Sequence, residues 1–139
     1  MEWKDSSVTL PIPKQNELTN LIAQNGRKLE LPAKKIFLEP GDKLKGIYYI
    51  AEGRTRHYMI APDGTEKLLY TLSAGWFYGE TPCVLDDATG LYSKTERASV
   101  LYLIPNQKYE QLLAESDLFR NAILLSYSKK MRILRQEIA

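Results

Sequence analysis

Cysteine and histidine are almost missing from this chain, with one of each, Cys83 and His57, in 139 residues. A lone cysteine excludes an internal disulfide and any cysteine-built zinc or iron–sulfur centre within one chain. A lone histidine excludes a multi-histidine metal centre, and with it a cupin-type metalloenzyme. Long apolar runs are lacking too. None approaches the roughly 18 residues that a membrane span needs, and Met1-Glu2-Trp3-Lys4-Asp5 has no apolar region of the kind that marks a secretory signal. Neither sign of charge dominates, and a net charge of +2 is too weak to argue nucleic-acid binding by the bulk of the chain. These absences predict a cytoplasmic protein that is not an enzyme, holds no metal or cofactor and makes no membrane contact. Cys83 has no histidine neighbour in sequence, and a packing role is expected for it.

What is present is ordinary soluble material, 44% apolar and 26% charged, enough for one domain with a real core. Leu18, Leu21 and Ile22 repeat at helical spacing and predict a short amphipathic helix ending near Gly26. From Lys28 to Leu72 the pattern changes to short β runs: 28–31, 35–38, 46–51, 54–60 and 66–72. Turn signals separate them at Pro40-Gly41-Asp42, Glu52-Gly53 and Pro62-Asp63-Gly64-Thr65. Leu91-Tyr92 leads back into β structure, and residues 97–104 form a last strand. Short strands with turns at near-regular spacing predict a mainly β fold with flanking helices, a double-stranded β-helix or jelly-roll barrel. His57, on the strand 54–60, is expected to be partly exposed.

Pro105-Asn106-Gln107 suits the first turn of a helix, and from Ser116-Asp117 no breaker interrupts the chain. Leu124, Tyr127, Met131, Leu134 and Ile138 then fall at spacings of 3, 4, 3 and 4, the seam of a coiled coil. The expected division is residues 1–115 as the barrel with its N-terminal helix and residues 116–139 as a dimerisation helix. The alternative is a helix that lies on its own barrel. In the heptad register Lys130 takes a g position and Arg135 the facing e position of a parallel partner, so like charges would meet beside the seam.

The stretch from Gly75 to Leu85 is the candidate functional centre. Trp76, Phe77 and Tyr78 stand between two glycines and lead to Glu80 and Thr81, with a short apolar helix expected after Gly79. Glycine on both sides allows positive φ and close approach to the backbone. A helix start would turn its N–H groups toward an occupant of the turn. The bland reading of the same run is a strand, a bend and a packed aromatic cluster.

Several pieces together resemble the effector domain of the Crp/Fnr family of bacterial transcription regulators, and more broadly the cyclic-nucleotide-binding fold. They are Phe37-Leu38-Glu39-Pro40-Gly41-Asp42, Ile47 to Gly53, Asp63 to Tyr70, Gly75 to Glu80 and the long terminal helix, in the expected order over nearly the whole chain. The resemblance implies a barrel that binds a small effector, a helix that pairs two subunits, and DNA reading through a helix-turn-helix domain that lies outside these 139 residues, so that the chain is expected to be an isolated sensory piece of a regulator, the alternative being a protein that naturally lacks the reader.

Cyclic-nucleotide binders of this fold carry an arginine about ten residues beyond the Gly-Glu pair. Here that count reaches Thr89 and Gly90, with no arginine nearby. Glu80 keeps the acceptor for a ribose hydroxyl, but the cation for a phosphate is gone, and a buried phosphate without a cation is costly. Residues Glu66 to Tyr70 with Tyr127 and Lys130 look similar to the branch that senses chlorinated phenolic acids and controls reductive dehalogenation. The resemblance therefore implies a small aromatic, anionic effector held by Trp76, Phe77, Tyr78, Gly79, Glu80, Thr81, Tyr92, Tyr127 and Lys130, with Lys130 paired to its phenolate or carboxylate. A solvated Lys130 is the competing expectation. A cyclic-nucleotide-binding regulatory domain and a dimerisation module without ligand are the alternatives for the whole.

Overall fold

The computed structural model describes residues 12–80 and 85–138. Helix α1 (Ile12–Asn25) leads into β1 (Arg27–Leu31), β2 (Ile36–Leu38), β3 (Gly46–Glu52), β4 (Arg54–Ile60), β5 (Glu66–Ser73), β6 (Phe77–Tyr78), β7 (Tyr92–Thr95) and β8 (Ser99–Pro105). Helices α2 (Asn106–Glu115) and α3 (Asp117–Ile138) follow. The strands form two four-stranded sheets, in the orders β1-β8-β3-β6 and β2-β7-β4-β5, with every pairing antiparallel. This is the expected jelly-roll architecture with flanking helices. Among the described residues, no helix is long and apolar enough to cross a membrane.

Alternation along β3 builds two cores at once. Strand side chains point to opposite faces in turn, so Tyr48 and Ile50 enter the barrel with Leu72, Leu101, Leu103 and Tyr78. Ile47 and Tyr49 point the other way and pack under the helices against Leu18, Ile22, Tyr109 and Phe119. Residues Gly46 to Ile50 are consequently all buried, which is unusual for an antiparallel strand with one wet face. Helix α1 is held to this layer by polar contacts as well: Gln15 donates to the Tyr49 hydroxyl at 2.9 Å, and Thr19 lies 3.4 Å from it.

Gly53 turns β3 into β4 at φ +97°, where a Cβ would stand 2.2 Å from the Ser99 hydroxyl oxygen. Both the dihedral and the close approach require glycine there. The break between α2 and α3 falls at Ser116, whose hydroxyl accepts from the Phe119 N–H at 3.1 Å. That capping bond satisfies one of the open donors at the start of α3.

Helix α3 has two distinct faces. Phe119, Ala122, Ile123, Ser126, Lys130 and Ile133 are buried against the barrel and its helical layer. Leu124, Tyr127 and Met131 are 57%, 41% and 50% exposed, and Leu134 is half-buried. The predicted seam thus lies largely away from the barrel, while a different stripe docks on it. The side chain of Ile138 lies outside the described residues. Lys130 sits on the docked face at 6% exposure, which corrects both the solvated lysine and the g-position charge beside Arg135: the heptad register put it one step too far from the barrel.

Candidate functional site

A turn at Gly75 (φ +95°) and a second positive φ at Gly79 (+106°) bracket β6. Gly75 donates to the Ile50 carbonyl at 2.8 Å and Ile50 to the Trp76 carbonyl at 2.9 Å, so the aromatic run is fastened to β3. The three aromatic rings then diverge. Phe77 joins the helical core, 4.9 Å from Tyr49 and 5.6 Å from Phe119 between ring centroids. Trp76 is buried beneath α3 with the Lys129 ammonium 4.7 Å over its ring. Only Tyr78 reaches the cavity described below.

Two residues one helical turn apart on α3, Ser126 and Lys130, grip the end of this run, as the i, i+4 geometry of a helix permits. Ser126 accepts from the Phe77 N–H at 3.3 Å and donates to Glu80 Oε2 at 2.9 Å. Lys130 Nζ donates to Glu80 Oε1 at 2.5 Å and to the Phe77 carbonyl. The rings of Tyr70 and Tyr78 lie 5.6 and 5.3 Å from the same nitrogen, within cation–π range. Both carboxylate oxygens of Glu80 are therefore engaged, which corrects the expectation that this carboxylate stands ready for a ribose hydroxyl. Burial pulls the Lys130 ammonium below its ordinary range, and the charge and hydrogen bond of Glu80 work against that shift. Burial pushes the Tyr70 phenol well above 10.0, helped by Tyr78 and Glu80.

Beside this ion pair lies a cavity of about 260 Å³. Its barrel wall consists of Tyr70, Tyr78, Gly79 and Glu80, and the segment 87–91 closes a second side. Tyr127, Lys130, Met131 and Leu134 of α3 form the third. The segment is held in place by Gly41, which donates to the Thr89 carbonyl at 2.8 Å, and by Thr89, which donates to the Asp42 carbonyl at 2.9 Å. Gly90 lines the cavity with open space where a side chain would project. Lys130 is the one cation among the lining residues described.

Of the residues expected to hold an effector, Tyr78, Gly79, Glu80, Tyr127 and Lys130 come together at this cavity. Phe77 is packed elsewhere because neighbouring strand side chains point to opposite faces, and Trp76, which precedes the strand, is buried under Lys129 instead. Tyr92 stacks on Tyr58 at 5.3 Å on the second sheet, away from the cavity. Thr81, Cys83 and the helix expected after Gly79 lie largely outside the described residues. Tyr70, Thr89 and Leu91 line the cavity without having been singled out as ligand contacts. The apolar alternation Leu68, Tyr70, Leu72 in the sequence is the available signal for Tyr70, although Thr71 between them is buried as well.

His57 departs most from expectation. It is fully buried, with Nε2 2.8 Å from the Thr55 hydroxyl and Nδ1 2.9 Å from the Ser93 hydroxyl. Its ring stacks on Tyr78 at 4.2 Å. Burial, and then the Lys130 charge, hold the imidazole well below 6.5, so it is neutral. The imperfect alternation of β4 hid this: pairing with β5 slips between His57 and Tyr58, and the slip separates an inward stripe of Thr55 and His57 from Tyr58 beyond it.

The family model described as the cyclic nucleotide-binding domain matches residues 28–116. No curated protein matches the sequence. Among solved structures, the chain is similar to the c-di-GMP responsive global regulator CLP of Xanthomonas campestris, with a TM-score of 0.77 and 22% identity over 88% of this chain and 62% of that one. It is similar to the catabolite activator protein of Thermus thermophilus, with a TM-score of 0.74 and 19% identity over 88% of this chain and 57% of the other. Oxidized CprK in complex with o-chlorophenolacetic acid gives a TM-score of 0.74 and 18% identity over 97% of this chain and 54% of CprK. The chain thus spans little more than half the length of these structures. At such identities the likeness is one of fold.

Proposed function

The chain belongs to the cyclic nucleotide-binding domain family, and from that membership we propose that it is the effector-sensing domain of a Crp/Fnr-type transcription regulator, acting as a homodimer on a small aromatic anion rather than cyclic AMP. The observation that carries this reading is the shared use of one helix surface. Tyr127, Met131 and Leu134 line the cavity and also belong to the apolar seam of α3. A ligand in the cavity touches the same side chains that a second copy of α3 would cover, so binding and pairing are coupled, and the coupling is reciprocal.

The chemistry of the walls favours the ligand class. Three tyrosine rings with Leu91, Met131 and Leu134 suit an aromatic ring. A cavity of about 260 Å³ falls just below the usual range for drug-sized ligands, which suits one ring with small substituents. The single cation is buried and already bonded to Glu80. A carboxylate or phenolate exchanges with Glu80 for that ammonium, whereas a cyclic phosphate finds no arginine fork to meet it. Lys130 also ties α3 to the Phe77 carbonyl, so a ligand that engages Lys130 alters how α3 sits on the barrel. That is the differential contact a two-state relay requires.

Calorimetric titration with o-chlorophenolacetic acid, phenylacetate and cyclic AMP tests the reading. The aromatic acids are expected to bind, and the double variant Glu80→Gln/Lys130→Met, which leaves no unpaired buried charge, is expected to lose at least about tenfold, the scale of one charge-assisted hydrogen bond. Submicromolar binding of cyclic AMP would overturn it. One observation favours a second reading, a dimerisation module without ligand: Glu80 already neutralises Lys130. Silence with every probe would support that reading.

A further inference from the structure

The outward face of the second sheet carries charge that the fold leaves unpaired. Thr55 and His57 are buried on β4, so Arg56 between them points the other way, directly opposite Lys94 of β7. Like charges in that position repel, and both residues are half-buried. Acidic side chains stand near Arg56 and miss it. Glu96 Oε2 holds Arg54 Nε at 3.0 Å, whereas Glu96 Oε1 lies 3.9 Å from Arg56 Nε and Glu66 lies 3.8 Å from Arg56 Nη2, both beyond hydrogen-bond reach. Arg56 Nε is covered from water and has no hydrogen-bond partner. Among the described residues, nothing accepts from the rest of that guanidinium or from the Lys94 ammonium.

These four side chains line a cavity of about 310 Å³, together with Lys34 and Tyr58. Lys34 is tied to β7 by its backbone N–H, which donates to the Thr95 carbonyl at 2.9 Å, and the Arg56 guanidinium lies 5.9 Å from the centre of the Tyr58 ring. No lining residue is shared with the cavity beside Glu80 and Lys130.

A guanidinium with free donors beside two ammonium groups is a donor set for a tetrahedral oxyanion: arginine takes two oxygens in its planar fork, and lysine adds point charge. Bare phosphate would leave most of the space unfilled and would set two carboxylates against an anion. Hydroxyl groups remove that conflict, because an ionised carboxylate only accepts hydrogen bonds, and Glu66 and Glu96 Oε1 have acceptor capacity to spare.

We propose that this cavity is a second binding site, and that it takes a sugar phosphate or similar hydroxylated phosphate monoester. Arg56 and Lys94 hold the phosphoryl oxygens, Lys34 adds charge at the rim, and Glu66 and Glu96 accept from hydroxyls. The site does not rest on the effector reading above.

Titrations with glucose 6-phosphate, inorganic phosphate and glucose, followed by calorimetry and by ¹H–¹⁵N spectra, test this at an ionic strength of about 0.15 M, where distant surface charge is screened. Glucose 6-phosphate is expected to bind with a Kd below about 1 mM, inorganic phosphate at least about fivefold more weakly, the scale of one hydrogen bond, and glucose not at all. Amide shifts should centre on Arg56, Lys94 and Glu96. Arg56→Gln should weaken glucose 6-phosphate at least about tenfold, the scale of one charge-assisted bond. It should melt no lower than wild type, because it relieves the repulsion with Lys94; Lys94→Gln, expected to weaken binding about fivefold, is the second variant. Absence of binding, or affinity undiminished in both variants, would overturn the proposal. Shifts confined to Tyr78, Gly79, Glu80 and Thr89 would place the phosphate in the other cavity and also refute it. Equal affinity for inorganic phosphate would overturn the assignment to hydroxylated esters.

Discussion

Lys130 and Glu80, 50 residues apart in sequence, meet as a buried ion pair at 2.5 Å, with side chains 7% and 6% exposed. The pair joins the terminal helix to the turn after β6, and it occupies the place where the sequence suggested a lysine waiting for a ligand. Removing one member strands the other without water. Lys130→Met alone or Glu80→Gln alone is expected to destabilise the domain by about 3–5 kcal/mol, while the double variant recovers most of that loss. A double-mutant cycle by urea denaturation measures the coupling. Additive single effects would mean that the pair is not formed in solution.

Neutral His57 makes stability depend on pH with a definite sign. The folded chain holds this imidazole well below 6.5, whereas the unfolded chain protonates it near that value. Below pH 6.5 the unfolded state thus binds one more proton, and stability falls by up to about 1.4 kcal/mol per pH unit as the pH drops. His57→Gln should be less stable at pH 8 yet lack this component of the slope. Denaturant midpoints of both proteins at pH 8, 7, 6 and 5 make the comparison, and parallel curves would contradict it.

At the β3–β4 turn, Gly53→Ala meets two penalties together, a positive φ of 97° and a Cβ 2.2 Å from the Ser99 oxygen. A loss of about 2 kcal/mol or more is expected in thermal or denaturant unfolding. Gly64→Ala has a similar φ of 88° but open space around it, so it should cost less. The difference between the two isolates the close approach.

The exposed seam gives a prediction that separates pairing from folding. Leu124 is 57% exposed and does not line the cavity. Leu124→Glu should leave monomer stability within about 0.5 kcal/mol and weaken self-association by about tenfold or more, as expected for loss of one buried leucine. Sedimentation velocity across a concentration series reports the change. Undiminished self-association would place the interface elsewhere.

Local pattern in the sequence carried most of the architecture. The run 54–60 matches β4 residue for residue, and the edges of β1, β3 and β5 fall within one residue of expectation, because turns at Gly53 and at Asp63-Gly64 leave few options. Pro105 precedes α2 as its cap residue instead of opening its first turn. The site was harder. Lys130 docks because Ser126, one turn earlier, binds the same acidic side chain, and nothing in the helix's own periodicity distinguishes a charged residue facing a buried carboxylate from one facing solvent. His57 is hidden from the sequence for the same reason: its partner Ser93 is 36 residues away, and a polar strand residue reads as exposed until that partner is known. Tyr92 shows the reverse error, since an aromatic side chain near a functional turn can spend its surface on a neighbouring ring such as Tyr58.

The position of β8 bears on how the chain is made. It lies between β1 and β3 and pairs with both along most of their lengths, yet among the described strands it is the last to be synthesised, at Ser99–Pro105. Until it leaves the ribosome, β1 has no partner in its sheet and β3 has only the two-residue β6. Contacts of such long sequence separation close slowly, and unpaired edges invite association with other chains. The barrel therefore cannot complete itself vectorially: its first strand waits for its last, and the nascent chain carries an open sheet edge until β8 emerges.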